Sequence, residues 1–469
     1  MTARPTEPQK EAVRHARLFF PTSTCLCLLF ITAAFASPLL TAQSAWATPL
    51  GQEAAPLTTP PSSEAAPAET RIIKGYTLPP EKYEQAVAYS RAQYRLYFIG
   101  VIYGLVVLLA VLGGRVAPKF RDWAERASSR RFIQAVVYVP LLMGTLGILG
   151  LPTAISGQWL ALKYDQSVQG WGSWFWDWTK GQLIELVMST FLIWLLYGVI
   201  RRSPRRWWFS FWLALLPLLV FLIFIRPYVI DPLFFQFTPL EQTQPALVTQ
   251  LEKVVERGGL EIPRERMFEM KASEKLKSVN AYVTGWGASQ RIVVWDTIIE
   301  KMTTPQILFV FGHEMGHYVL GHIPRFIAFF WVVLLVFLYL GYRGMHWALE
   351  RWGRRWAIRS VDDWASLPVL LLCFSLFLFL AAPLLNTHSR SVEHEADIYG
   401  LEVIHGVVPD SQQAAAEAFQ VLGEIDLADP DPSPFIKVWL YDHPALNERI
   451  VFVQSYDPWS QGRAPAFVK

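Results

Sequence analysis

Residues 304–342 read TPQILFVFGHEMGHYVLGHIPRFIAFFWVVLLVFLYLGY, and this stretch decides the class of fold. Its second half, residues 326–342, has no charged side chain. With tilt or flanking residues, such a run is long enough for the roughly 20-residue helix that spans a bilayer. The first half carries a polar motif, H-E-x-x-H, shortly before that run. The stretch therefore predicts a helical membrane protein whose chemistry lies beside the membrane.

Five further uncharged runs are also candidate membrane helices, and the amino-acid composition supports a membrane protein. Hydrophobic residues make up 52% of the 469 residues, charged residues 17%, and the mean hydropathy is +0.26. Because this is more apolar surface than soluble cores need, a disordered or an ordinary cytosolic protein is excluded. The three cysteines exclude a disulfide scaffold. We predict a mainly α-helical integral membrane protein with six membrane helices, or seven if the N-terminal segment is retained. The other runs are residues 96–114, 132–151, 186–200, 207–225 and 364–387.

Clusters of arginine and lysine alternate along the chain and predict its topology. By the positive-inside rule, three basic loops lie in the cytoplasm. Residues 152–182 contain two lysines only and fall on the opposite side, as do residues 230–325 and 388–469. The net charge of +3 is dispersed in these clusters and indicates no nucleic-acid partner. The basic loops carry Arg115, Lys119, Arg121, Arg126, Arg130 and Arg131; Arg201, Arg202, Arg205 and Arg206; and Arg343, Arg351, Arg354, Arg355 and Arg359.

The N-terminal segment has the pattern of a secretory signal. Basic residues precede an apolar run that ends in small-x-small tripeptides, so residues 1–47 are predicted to be a signal peptide or an uncleaved first membrane helix. Residues 48–78 are rich in proline and alanine, which predicts a flexible linker. With the topology, this pattern indicates a bacterial inner-membrane protein whose active site is extracytoplasmic. The rest of the chain is predicted to divide into membrane helices and one domain beside the membrane. Residues 79–229 contain the first four membrane helices of the bundle and residues 326–387 the last two, while residues 230–325 and 388–469 together form the domain.

The motif His313-Glu314-Met-Gly-His317 carries the strongest chemical signal. Thr304 is a plausible N-cap and Pro305 suits the first turn, so the motif is predicted to lie on a helix. One helical turn then separates His313 from His317, and both imidazoles can bind a single Zn²⁺. Glu314 lies beside the metal, where its carboxylate can accept the proton of a zinc-bound water and pass it to a leaving amine.

A catalytic zinc site needs a third protein ligand and an open fourth position. The candidate segment follows the last apolar run. Glu393 and Asp397 are four residues apart and share a helix face, so Glu393 can bind zinc while Asp397 accepts the outer N–H of a ligand histidine. The competing ligands in the same segment are His388, His394 and Glu395.

Residues 278–296 contain two β-rich runs around a glycine-containing turn, which predicts a hairpin. Proteases commonly hold the substrate backbone along a strand edge, and this makes Asn280, Ala281 and Tyr282 candidate substrate-binding residues. An ordinary hairpin of a small domain fits the same pattern.

Three other polar residues of this domain have less specific signals. His322 follows His317 by five residues, off the ligand face, which predicts a capping or interfacial role. His443 and Arg449 lie close together near the C-terminus. Arg449 is a candidate substrate contact. A late histidine is usually structural, but His443 can also donate a hydrogen bond to the oxyanion of a tetrahedral intermediate.

Together, these segments resemble the type I CAAX prenyl protease family of integral-membrane zinc metalloproteases, which are gluzincins. Several short motifs in the right order are far more specific than the zinc motif alone, and they span most of the chain. The motifs are Tyr89-Ser90-Arg91-Ala92, Phe237-Thr238-Pro239-Leu240, Asn280-Ala281-Tyr282, residues 291–297, residues 313–317, Ser389-Arg390 with Glu393 and Asp397, and His443-Pro444 with Leu446 and Arg449.

The resemblance implies a fold and roles for the site residues. Seven membrane helices would enclose a water-filled chamber, capped by a zinc domain that contains the small hairpin. His313, His317 and Glu393 would be the zinc ligands, Glu314 the base, and His443 would face the reacting carbonyl. Two features depart from the family: the signal-like segment stands where members have a first membrane helix, and the eukaryotic relatives present their active site to the cytosol.

We therefore expect a membrane-embedded, Zn²⁺-dependent endopeptidase that contacts lipid and hydrolyses peptide bonds in a peptide or protein substrate, with or without an attached lipid. The resemblance favours processing of the CAAX prenyl protease kind. One alternative is a broad quality-control metalloprotease with no lipid requirement. Another is a catalytically silent membrane scaffold.

Overall fold

The computed structural model of the protein describes residues 75–225, 235–274, 278–285 and 290–468. The predicted signal segment and all but the end of the predicted linker lie outside these residues. The described chain is mainly helical, and its first half consists of helices alone. These helices are α1 (Pro80–Gly113), α2 (Val116–Ala127), α3 (Arg131–Lys163), α4 (Trp171–Arg202) and α5 (Trp207–Ile225).

The second half combines short helices, four strands and two long helices. The strands are β1 (Phe237–Pro239), β2 (Met267–Met270), β3 (Ala281–Thr284) and β4 (Arg291–Trp295). The helices are α6 (Leu240–Thr243), α7 (Pro245–Arg257), α8 (Asp296–Lys301), α9 (Thr304–Val319), α10 (His322–Trp352), α11 (Leu367–Ile404), α12 (Ser411–Asp426), α13 (Pro434–Leu440) and α14 (Leu446–Ser455).

Five of the described helices, α1, α3, α4, α10 and α11, are long and apolar enough to cross a membrane, and α5 contributes a shorter apolar helix. The six predicted runs fall on these six helices, which confirms a mainly α-helical membrane protein. Except for α5, which matches its run, the helices are longer than the runs, for example 34 residues in α1 and 38 in α11. These helices continue through additional polar helical turns, past the roughly 30 Å thickness of the hydrocarbon layer. The water-filled chamber stays a prediction.

Large aromatic side chains fill the interior of the helix bundle. Trp207, Trp364 and Tyr197 are fully buried in one hydrophobic cluster that joins α1 to α5 with α10 and α11. The Tyr197 hydroxyl, which would be costly to bury alone, lies 2.7 Å from Ser366 Oγ. Apolar side chains also cover the outer surface, as expected where lipid replaces water. Examples of exposed apolar side chains are Ile102, Ile148 and Val187.

The polar half of the protein has a second hydrophobic core. That core contains Leu251 and Ile307 from before the last two long helices, Leu401 from the end of α11, and Ile450 from after it. Beside it lies a four-stranded sheet with the order β1-β2-β4-β3. Because β3 and β4 pair in antiparallel fashion, the predicted hairpin is confirmed. Strand β3 stands at one edge of the described sheet and packs beside α9.

Helix α9 begins at a capping box. Thr303 is the N-cap, Gln306 returns a side-chain bond to its backbone N–H at 3.0 Å, and Pro305 lies in the first turn. The expected N-cap, Thr304, is instead the first helical residue. The cap lies one residue earlier because the Thr303 side chain reaches the backbone of Gln306 at the third helical position.

Candidate active site

The H-E-x-x-H motif lies on α9, as predicted. One helical turn brings His317 Nε2 to 3.2 Å from His313 Nε2. His313 is buried and His317 is half-buried. The two imidazoles therefore present one nitrogen each to the same point.

Glu393, on α11, completes a group of three possible metal ligands. Its Oε2 lies 3.1 Å from His313 Nε2, and its Oε1 lies 3.5 Å from His317 Nε2. Zinc–ligand bonds of about 2.0–2.1 Å in a tetrahedron place neighbouring ligand atoms about 3.3 Å apart. The three side chains thus match one face of a zinc tetrahedron, and all their ligand atoms lie within 4.8 Å of one another.

The electrostatics of this group also suit a cation. Glu393 Oε2 is buried and receives no hydrogen bond of acceptable geometry. Burial alone would lower the pKa of His313, but Asp397 and Glu393 outweigh it and raise that pKa to about 10. Burial lowers the pKa of His317 to about 3, so this imidazole is neutral, the form that binds a metal. The residues present fit Zn²⁺.

Small residues let α9 and α11 approach closely enough to form the site. A Cβ on Gly316 would lie 3.0 Å from the Tyr399 side chain. One on Gly400 would lie 3.0 Å from the backbone nitrogen of His313. The contact is thus built from the Gly312-x-x-x-Gly316 pattern of α9 facing a glycine of α11. Sequence reasoning missed this function of the glycines, although small residues four apart are a recognisable signal of close helix packing.

Asp397 supports His313, as the sequence indicated. His313 Nδ1 lies 2.9 Å from Asp397 Oδ1. The second partner of Asp397 was not foreseen: Arg449 donates to it from Nε at 2.9 Å and from Nη2 at 2.5 Å. Arg449 is predicted to contact substrate, and its buried guanidinium engages Asp397, with Nη2 3.9 Å from Glu393 Oε2.

Glu314 is the carboxylate beside the ligand group. It follows His313 directly on α9 and is half-buried. Burial raises its pKa to about 7, with Glu393 adding to the effect and His313 opposing it. A carboxyl group with a pKa near neutrality can both accept and return a proton, as a general base and acid must.

His443 reaches the same group from the segment between α13 and α14. Its Nε2 lies 3.2 Å from Glu393 Oε2, and its Nδ1 lies 2.8 Å from Asp442 Oδ1. Burial would lower its pKa, but Glu393 and Asp442 together raise it to about 9. Arg390 holds this segment by donating to the Tyr441 carbonyl at 2.5 Å.

None of the competing ligands on α11 enters the group of three described above. His388 lies against the Phe329 ring and His394 against the Phe452 ring, at centroid distances of 4.1 and 4.3 Å. Glu395 lies 3.2 Å from His322 Nε2. His322 in turn lies 3.0 Å from the Nδ1 of His317, a contact that the spacing of five residues did not suggest.

The hairpin residues lie on the strand beside α9. Ala281 and Tyr282 pair with Val294 and Val293 of β4, and the Asn280 carbonyl accepts from Trp295 N at 3.1 Å. Ala281 is buried, while Asn280 and Tyr282 are half-buried. The other edge of β3 has no partner strand among the described residues.

Family models match both halves of the chain. The model described as Peptidase family M48 matches residues 241–457, which include every side chain of the site described above. The model described as CAAX prenyl protease N-terminal, five membrane helices, matches residues 65–236.

Individual relatives agree with these matches. An uncharacterized metalloprotease of Bacillus subtilis, YhfN, is 34% identical over 80% of this chain and 85% of its own. CAAX prenyl protease 1 of Saccharomyces cerevisiae is 24% identical over 79% of this chain and 85% of its own. The crystal structure of S. mikatae Ste24p matches the fold with a TM-score of 0.69 and 20% identity, over 93% of this chain and 100% of that one.

Proposed function

Since the chain belongs to the type I CAAX prenyl protease family of membrane metalloproteases, we propose that it is a zinc-dependent endopeptidase with Glu314 as its catalytic base. The observation that carries this proposal is the group formed by His313, His317 and Glu393. Its ligand atoms have the spacing of a zinc tetrahedron, and Glu314 with a pKa of about 7 follows directly on the same helix.

The chemistry that zinc supplies there when bound is Lewis acidity, which polarises a carbonyl oxygen and lowers the pKa of water to about 7. Glu314 takes a proton from the attacking water while the oxygen of this water bonds to the scissile carbonyl carbon. Glu314 then returns this proton to the nitrogen as the C–N bond breaks. His443, whose Nε2 points to the ligand group, donates a hydrogen bond from Nε2 to the oxygen on which negative charge develops.

The position of β3 at one edge of the described sheet supports a binding mode for the substrate. A peptide in extended conformation adds to a sheet edge through backbone hydrogen bonds, and Asn280 to Tyr282 supply such an edge beside α9. Backbone pairing fixes the direction of the chain and places one peptide bond at the metal. Arg449 acts in this proposal through Asp397, by holding the carboxylate that orients His313.

Two classes of natural substrate are compatible with the proposed activity. Relatives named CAAX prenyl protease favour a lipidated peptide. The arrangement of basic loops supports a second candidate, a quality-control protease without a lipid requirement, because the positive-inside rule favours a site on the extracytoplasmic side of a bacterial inner membrane. Cytosolic prenylated proteins would not reach a site on that side.

Cleavage of matched farnesylated and unmodified peptides by the detergent-purified protein tests both candidates. A zinc chelator and the Glu314→Gln variant are the controls. Cleavage of the farnesylated peptide alone supports CAAX-type processing, and cleavage of both peptides supports the quality-control function. A protein that contains zinc but cleaves neither peptide, nor unfolded proteins, would favour the catalytically silent scaffold.

A further inference from the structure

His322, the first residue of the long helix α10, lies against the zinc helix. Gly321 adopts a left-handed conformation with φ of 67°, and this lets α10 begin directly after α9. The turn folds His322 back beneath the preceding helix, where its side chain is fully buried. Its Nδ1 lies 3.0 Å from His317 Nδ1.

The other ring nitrogen of His322 also has a partner. Nε2 lies 3.2 Å from Oε2 of Glu395, which is on α11. The same carboxylate oxygen accepts from Arg325 Nη2 at 2.9 Å. His317, His322, Glu395 and Arg325 therefore form a continuous chain of polar contacts that joins three helices.

The chemistry of imidazole sets the direction of the hydrogen bonds in this chain. A histidine that binds a metal through Nε2 carries its proton on Nδ1, so His317 donates from Nδ1. His322 must then accept at Nδ1 and carry its own proton on Nε2, from which it donates to Glu395. Each of these ring nitrogens is therefore a donor or an acceptor that matches its partner. The two facing Nδ1 atoms form one hydrogen bond, from His317 to His322.

We propose that His322 is a positioning residue that fixes the orientation and tautomer of the metal ligand His317, with Glu395 fixing His322 in turn. The inference rests on the proposed function, because it takes His317 as a zinc ligand. His313 is supported directly by the carboxylate of Asp397, whereas His317 is supported through a second imidazole. The indirect support connects the metal site to α10 and thus to the membrane bundle.

The test measures how fast the zinc-loaded protein in detergent releases zinc to excess chelator. Loss of a partner behind a metal ligand typically weakens metal binding about 10–100-fold. We expect His322→Leu, which removes the acceptor, to release zinc about 10–100-fold faster than the parent. His322→Asn places an amide oxygen near the position of Nδ1 and should stay close to the parent rate.

A matched control comes from the same helix. His346 lies farther along α10, and its Nδ1 is 2.8 Å from the carbonyl of Tyr342. His346→Leu makes the same exchange there, and zinc release should be unchanged. Glu395→Ala breaks the same chain of polar contacts without altering the buried residue His322, and we expect faster zinc release in this variant too. If His322→Leu does not fold, zinc release from Glu395→Ala tests the inference.

Two results would overturn the inference while leaving the proposed function intact. One is zinc release at the parent rate in His322→Leu and Glu395→Ala. The other is equal acceleration in His322→Leu and His322→Asn, because an acceptor at that position would then have no effect. A parent protein that binds no zinc would overturn the proposed function and the inference together.

Discussion

At the scale of single residues, the proposed function assigns metal binding and proton transfer to different side chains. His313, His317 and Glu393 converge on one point, while Glu314 stands beside them with a pKa raised by burial to about 7. Substitution of Glu314 should therefore remove proton transfer and leave the metal bound.

Glu314→Gln tests this separation. The amide cannot accept the proton of water, so we expect kcat to fall about 10²- to 10⁴-fold, the usual contribution of general acid–base catalysis. The zinc content should equal that of the parent, which metal analysis of the purified variant checks. Cleavage at the parent rate would exclude Glu314 as the base.

His443 is expected to stabilise the transition state. Its Nε2 lies 3.2 Å from Glu393 Oε2, so it donates close to the metal position. Removing one oxyanion donor typically lowers kcat about 10²- to 10³-fold. We expect such a loss in His443→Ala with little change in KM, and partial recovery in His443→Gln, which keeps an N–H donor. Steady-state kinetics check this; a raised KM at unchanged kcat would indicate a role in substrate binding instead.

At the scale of elements, the site depends on the contact between α9 and α11. Neither helix carries the complete group of possible ligands, because two of these residues lie on α9 and the third on α11. Glycines set the distance between the two helices, since side chains in their place would push the backbones apart.

Gly400→Ala tests this contact. The added Cβ would lie 3.0 Å from the His313 backbone nitrogen, so one helix must shift. Overpacking of this kind typically costs about 1–3 kcal/mol, and we expect lower thermal stability together with faster zinc release. Gly198→Ala on α4 is the control, because a Cβ there meets no atom within 4 Å and alanine favours a helix. Equal behaviour of the two variants would contradict the prediction.

A buried ion pair connects the elements at the opposite end of the bundle. Arg121 of α2 donates to Asp363 at 2.6 Å, in the loop before α11, and both side chains are buried. Arg121→Met removes the cation beside this buried carboxylate and leaves it only the backbone N–H groups of Arg359 and Ala365, which should lower the free energy of unfolding by about 3–5 kcal/mol. Chemical denaturation in detergent measures the loss. The control is Arg126→Met on the same helix, where an exposed side chain should change stability by no more than about 0.5 kcal/mol.

At the scale of the whole molecule, the basic loops and the site lie in different parts of the chain. The arginine clusters lie in the loops around α2, α5 and the start of α11, whereas the metal site lies on α9 and the far end of α11. One crossing of the membrane by α11 would therefore place the two on opposite faces.

Reporter fusions test this topology. A reporter that is active only outside the cytoplasm should be active when fused after Lys469 and inactive when fused after Arg205, because positive loops stay in the cytoplasm. The reverse pattern would place the site in the cytosol and would favour CAAX-type substrates. Expression of both fusions, checked by immunoblot, makes the two activities comparable.

Parts of the molecule could be predicted because their signals are local. Uncharged runs specify membrane helices, since transfer into lipid depends on each segment's own composition. The spacing of His313 and His317 places them on one face because a helix repeats every 3.6 residues. The β-hairpin was likewise predictable from two short runs and a turn.

The contacts between residues far apart in the chain could not be predicted in the same way. Arg449 pairs with Asp397 across 52 residues, and Glu395 with His322 across 73. Neither pairing has a periodic signal, because side chains so far apart meet only once the packing of α9, α10 and α11 fixes their positions. Local patterns were enough to predict a membrane-embedded helical protein with a histidine pair suited to a metal. The folded chain decided which carboxylates, imidazoles and guanidinium groups hold that pair in place, since those contacts depend on helix packing rather than on local periodicity.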